Sequence, residues 1–140
     1  MRPALLLLAL LVGAGLAWIR LAPSDPARWH VDPAVPGEPD GARATLSLPG
    51  QGPAETLARL DAIARAAART VRLAGSPEEG RITWITRSAV FGFPDYTTAQ
   101  AVRNGADVDL TLHARQRFGR RDFGVNAARL RDWTAALTTP

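Results

Sequence analysis

The sequence predicts an α+β protein: an antiparallel β-sheet of about five strands in the order β-α-β-β-β-β-α, with two helices on one face and a hydrophobic helix ahead of it. Three observations lead there. Two segments of alternating polarity flank Asn104-Gly105, a dipeptide suited to a tight, right-twisted hairpin. Apolar residues recur at helical spacing in two places, at Leu57, Leu60, Ala64 and Ala67, and again at Leu130, Trp133 and Leu137. Ahead of all this lies an unbroken apolar run, Ala4 to Ile19, followed by prolines at 23, 26, 33, 36 and 39.

These shifts in composition divide the chain into residues 1–21, a membrane anchor or signal segment; 22–41, a proline-rich linker; and 42–140, a single α+β domain. Arg2 precedes the apolar run and Arg20 closes it. With Arg20 snorkelling outward the run extends through Ala22, roughly 28 Å of helix, close to the thickness of a bilayer core. Trp18 then falls at the outer interface, where indoles are favoured. Gly15-Leu16-Ala17 supplies the small residues that a signal peptidase needs, so a cleaved signal is the alternative to an uncleaved anchor. Either route exports the domain, because the short positive N-terminus stays in the cytoplasm. The linker's prolines deny it a sustained helix. Within it, Arg28-Trp29-His30-Val31-Asp32 is too apolar to be idle and is expected to dock on the domain or the membrane surface. His30 beside Trp29 reads as packing rather than metal ligation.

In the domain, Ala42 to Leu48 alternates as a first strand. Pro53 suits a first helical position and a helix follows to about Arg69, with Ile63 at the margin of its stripe. Glu55/Arg59 and Asp61/Arg65 are spaced as ion pairs on its wet side. Thr70–Ala74 and Arg81–Ser88 form strands around the turn Gly75–Gly80. Val90 to Asp95 is an aromatic loop, expected to fold over the core as a lid. The hairpin strands Tyr96–Arg103 and Ala106–Arg117 set Arg103 opposite Ala106, Gln100 opposite Asp109, Thr98 opposite Thr111 and Tyr96 opposite His113. Val108, Leu110, Leu112 and Ala114 then face the core, while Asp107, Asp109, Thr111, His113, Arg115 and Arg117 make a polar, solvent-facing surface. Asn126 reads as the N-cap of the last helix, with Val125 and Leu130 as its hydrophobic staple.

Composition excludes several functions. The chain has 140 residues and no cysteine, so disulfides, thiolate catalysis, Cys-ligated zinc, iron–sulfur clusters and a lipidated cysteine are ruled out. All 17 cations of the Lys+Arg count are arginine, which raises the pI without a large net charge. Acidic residues are interspersed throughout, and no basic stripe interleaved with aromatics suggests nucleic acid. No cofactor and no metal site is expected. Asp109 and His113 lie about 13 Å apart along one strand, too far for a dyad or a shared metal.

Residues Arg115 to Arg129, read as Arg-x-Arg-x-Gly-Arg-x-Asp-Phe-Gly-Val-Asn-x-x-Arg, resemble the C-terminal signature of the family called domain of unknown function 1499. Arg87 and Phe93-Pro94-Asp95 resemble its middle part, and the likeness runs over roughly residues 42 to 138. The family occurs in bacteria, often behind an export segment, and in chloroplasts; the resemblance implies no activity. Its motif positions fall here on Arg87, Asp95, Arg115, Arg117, Gly119, Arg120, Asp122, Gly124, Asn126 and Arg129. Tyr96 stands where the family commonly carries a second acidic residue, which weakens any paired-carboxylate idea. Asp95, Gly119, Asp122 and Gly124 are read as structural, Asp122 pairing with an arginine to fix the last helix to the sheet. Arg87, Arg115, Arg117, Arg120, Arg121, Asn126 and Arg129 are the candidate ligand contacts. They suggest a membrane-tethered, non-enzymatic envelope module of the bacterial inner membrane, facing the periplasm, whose arginine loop takes an anionic lipid headgroup or a partner's carboxylate. The alternative is an exported hydrolase-like enzyme using His113 with Asp109 or Asp95.

Overall fold

The computed structural model describes residues 2–35, 41–119 and 122–139. Its elements are helices α1 (Arg2–Leu21), α2 (Pro26–Trp29), α3 (Pro53–Ala66) and α4 (Val125–Thr138), and strands β1 (Ala42–Pro49), β2 (Thr70–Ser76), β3 (Arg81–Arg87), β4 (Pro94–Asn104) and β5 (Asp107–Gln116). The strands form one antiparallel sheet in the order β1-β5-β4-β3-β2, so the expected α+β class and element order hold. β2 through β5 are a meander; β1 closes the far edge by pairing with β5.

Alternation assigns the two faces. One carries Ile82, Trp84, Ala99, Leu110 and Leu112 against Leu57, Leu60 and Ala64 of α3 and Leu130, Trp133 and Leu137 of α4. Both apolar stripes are therefore buried on the same side, as their spacing predicts. Pro53 begins α3, but the helix stops at Ala66 rather than near Arg69, because Ala67 is extended and Arg69 is left-handed at φ 57°. Asp61 is not on the wet side. It is buried, accepting from Trp84 Nε1 at 2.9 Å and pairing with Arg72 of β2. Arg59 donates to the carbonyl of Leu137 at 2.9 Å, tying α3 to the end of α4.

The hairpin keeps its predicted faces but not its register. Asn104 pairs with Asp107, Thr98 with His113 and Tyr96 with Arg115. The loop residues are Gly105 and Ala106, with the positive φ of 61° at Gly105 in the first position, as a type II′ turn requires. Asn104 thus remains in the strand and donates to Asp109 Oδ2 at 2.8 Å. The shift moves every pair by two positions in all, so no side chain changes face.

The other face is not open to solvent. Residues 22–33 cross it as a strap, and Thr83, Tyr96, Thr98, His113 and Arg115 are buried there. A single helical turn, α2, forms despite the prolines, since Pro26 occupies its first position and Asp25 accepts from the N–H of Ala27 at 2.9 Å. α1 stands apart from the core. Pro3–Leu21 is long and apolar enough to cross a bilayer, a property that a signal sequence shares.

Candidate functional site

Trp29 is the centre of the strap. Its ring stacks on Tyr96 with centroids 3.8 Å apart and planes 8° from parallel. Its carbonyl accepts from Arg115 Nη2 at 2.7 Å and from Thr98 Oγ1 at 3.1 Å, and the Arg115 guanidinium also lies 5.3 Å from its ring centroid. Around it, Ser24 Oγ meets Tyr96 Oη at 2.6 Å, and Arg117 Nη1 donates to the carbonyl of Pro23 at 2.9 Å. Arg43 of β1 donates to the carbonyls of Pro33 and Val35. His30 Nδ1 is 2.9 Å from Thr83 Oγ1. It fits only because Gly75 has no side chain: a Cβ there would lie 2.7 Å from the imidazole. Burial, reinforced by nearby Arg81 and opposed by Glu79, holds the His30 pKa below its usual value, so the ring is neutral against the sheet.

The last helix is fixed from the other side of the sheet. Arg129 Nη2 is 3.3 Å from Asp95 Oδ2, and its Nη1 donates to Asn126 Oδ1. Burial pushes the Asp95 carboxyl above its usual pKa more strongly than Arg129 pulls it down. Asn126 is not the N-cap. It lies inside α4, whose cap residue is Gly124 at φ 81°. The capping group is Asp122, which accepts from the N–H of Gly124 and of Asn126, each at 3.0 Å. Burial works to raise the Asp122 pKa, but these donors outweigh it and hold the carboxylate low. The staple is absent as well, since Val125 is 53% exposed and begins the helix instead of preceding it. Gly119 turns at φ 93° and accepts from Gln116 at 2.9 Å. Arg120 and Arg121 lie outside the described residues.

The described members of the predicted site lie in different parts of the fold. Arg115 and Arg117 reach into the strap, Arg129 holds α4, and Arg87 lies elsewhere. Asp95 is on the helix-covered face and His113 on the strap-covered one, so these two do not meet; Asp109 sits towards the hairpin end, bonded to Asn104. Among the described residues no group of acidic or histidine side chains is arranged to hold a metal.

What the sequence reading missed is a cleft of about 460 Å³ where α1 leaves the apolar run. Arg20, Arg69, Arg87 and Ser88 supply its polar lining, with Val71 and Gly92 beside them. The loop after β3 is not a lid over the core: Val90 is 72% and Phe91 48% exposed. Its carbonyls turn inward instead. Those of Val90 and Phe91 accept from Arg20 at 2.9 and 3.2 Å, and that of Gly92 accepts from Arg87 at 3.0 Å. Gly92 is required here, with φ at 71° and the Arg20 side chain 3.0 Å from where a Cβ would stand. Arg69 donates through Nε to the carbonyl of Arg87 at 3.0 Å. Among the described residues none of these three guanidinia is paired with a carboxylate. Each thus keeps its full charge and further N–H donors beside the cleft. No sequence signal joins residues 20, 69 and 87; only folding brings them together.

An apolar helix, a strapped five-stranded sheet and an arginine-lined cleft between them define a small α+β module with a possible membrane anchor. The chain belongs to the family described as protein of unknown function (DUF1499), whose model matches residues 19–137. The match begins at the end of α1 and so includes the whole strap. No curated protein matches the chain.

Proposed function

We propose that the protein is anchored uncleaved in a bacterial inner membrane, with its domain in the periplasm, and serves as a non-enzymatic module that receives an anionic group. The observation that carries this reading is the cleft of Arg20, Arg69 and Arg87, cationic side chains that have no carboxylate partner among the described residues and line a concave space. Its volume falls within the range of small-molecule sites, and guanidinium forks match phosphate and carboxylate oxygens. Of the arginines expected to bind, Arg87 is the one in this cleft; Arg120 and Arg121 remain in the proposal as a second contact.

Orientation follows from Arg2 and the amino terminus, which favour the cytoplasmic side. Retention of the anchor is supported by the hydrogen bonds of Arg20 to the 88–93 loop, because cleavage after Ala17 would leave Arg20 only three residues from a free end. Native mass spectrometry of the full chain extracted from its host membrane tests the reading. Wild type should retain an anionic species, and Arg69→Gln with Arg87→Gln should lose it. Wild type carrying no such mass, or the double variant retaining it, would count against the cleft. Arg120→Ala with Arg121→Ala, measured alongside, separates the second contact from the first.

A further inference from the structure

Resting on that reading of the cleft, we infer that its ligand is an anionic phospholipid of the membrane crossed by α1, with the phosphate among Arg20, Arg69 and Arg87 and the acyl chains against the exposed apolar rim. Three features point to a lipid rather than a soluble anion. The first is position. Arg20 is the last cation of α1 and donates into the cleft wall, so a spanning α1 puts the cleft at headgroup depth. The second is the rim. Val71 is an exposed residue of the cleft lining, Val90 and Phe91, whose carbonyls bond Arg20, are exposed beside it (Phe91 stacked on Phe93), and Leu21 is exposed at the base of the anchor. A free phosphate has no use for that apolar surface, whereas a lipid presents its charge and its chains at adjacent depths. The third is the backbone's arrangement. The carbonyls of Val90, Phe91 and Gly92 all point to arginines, so the loop turns its polar atoms into the cleft and its side chains out. This matches an interfacial loop, whose backbone groups must be satisfied internally as it approaches the hydrocarbon.

The negative surface potential of an anionic leaflet would draw in these three arginines. Arg87 is oriented by Gly92 and Arg69 by Arg87, so the phosphate would meet a partly preorganised fork.

The test uses the full chain in phosphatidylcholine nanodiscs, with and without phosphatidylglycerol, reading the thermal midpoint and the lipid retained in native mass spectrometry. A parallel arm adds inorganic phosphate to the phosphatidylcholine discs. Phosphatidylglycerol should raise the midpoint and be retained, and inorganic phosphate at equal concentration should do neither. Arg69→Gln should weaken retention about tenfold, as expected for the loss of a charge-assisted hydrogen bond. Phe91→Asp should weaken it with all three arginines intact. If phosphate stabilises as well as the lipid and Phe91→Asp changes nothing, the cleft is a seat for soluble anions and the lipid assignment is overturned. If neither additive shifts the midpoint, the anion reading falls with it. Retention of phosphatidylcholine as strong as that of phosphatidylglycerol would overturn the charge argument. Arg69 is exposed and, among the described residues, its guanidinium makes one carbonyl contact, so its variant should fold even where Arg87→Gln does not.

Discussion

The two groups of arginine in this molecule make an instructive contrast. Arg43, Arg115 and Arg117 donate to carbonyls of the strap, at Pro33, Trp29 and Pro23, and Arg43 also to that of Val35 just after it. Arg20, Arg69 and Arg87 also donate to carbonyls, but of the 88–93 loop and its neighbour, and they keep donors turned to an open cleft. The first group closes a polar sheet face by saturating the backbone of the segment that covers it. The second leaves its charge unspent. Density along the sequence points to Arg115, Arg117, Arg120, Arg121 and Arg129; of the described ones, Arg115 and Arg117 hold the strap and Arg129 pairs with Asp95, whereas Arg20, Arg69 and Arg87 gather in space from separate stretches of the chain.

The contrast can be broken first at Trp29. Trp29→Ala removes the buried ring on which the strap rests and should cost about 4 kcal/mol. Hydrogen exchange should show protection lost first at Thr83, Thr98 and His113, while the helix-covered core keeps its own; uniform loss over both faces would mean that the strap is not a separable layer. Next in size is Asp122→Ala, which deletes the side chain that caps α4. A loss of about 1 kcal/mol in denaturant unfolding is expected, against almost none for Val125→Ala, whose side chain is exposed.

Smaller again is the response to acid. The folded-state pKa of His30 is lowered, so the unfolded chain binds its proton more readily, and stability falls as pH drops through the usual histidine value of about 6.5. Strap protection should weaken there and recover above it, and His30→Gln should abolish the step. The carboxylates of Asp61 and Asp122 are also held low: burial works against this, but it is outweighed by Arg72 and Trp84 for the first and by backbone N–H groups for the second. Their contribution is present above the ordinary carboxylate pKa and is lost only at more acidic pH, which separates it from the histidine step.

Much of the fold was legible because it is written locally. Alternation in β5, the stripes of α3 and α4 and the hairpin at Asn104-Gly105 need no knowledge of distant residues. The errors arose where local rules had two solutions. Asn-Gly suits a two-residue loop, yet Gly-Ala took it, since glycine alone meets the positive φ. Asp61 does pair with Arg65 at 3.7 Å, as the spacing predicts, yet it is buried rather than on the wet side because the indole of Trp84 and the guanidinium of Arg72 also hold it. Asn126 is a good cap residue, but the helix begins earlier, at Val125, and Asp122 caps it by accepting from the N–H groups of Gly124 and Asn126 itself. The strap was half legible: Trp29 marked the segment as sticky, while its partners, Tyr96, Thr98 and Arg115, looked like a solvated surface. The cleft was not legible, because Arg20 was read as part of the anchor and Arg69 as the tail of a helix.

The division of the arginines is tested most directly by thermal unfolding of Arg115→Gln and Arg69→Gln, each with and without phosphatidylglycerol in the surrounding bilayer. Arg115→Gln should lower the midpoint sharply, through about 3 kcal/mol of lost charge-assisted bonding to the strap, and should retain the lipid-induced rise. Arg69→Gln should leave the midpoint within a few tenths of a kcal/mol of wild type and lose that rise. The reverse pattern, with Arg69 needed for folding and Arg115 for the lipid response, would contradict the account.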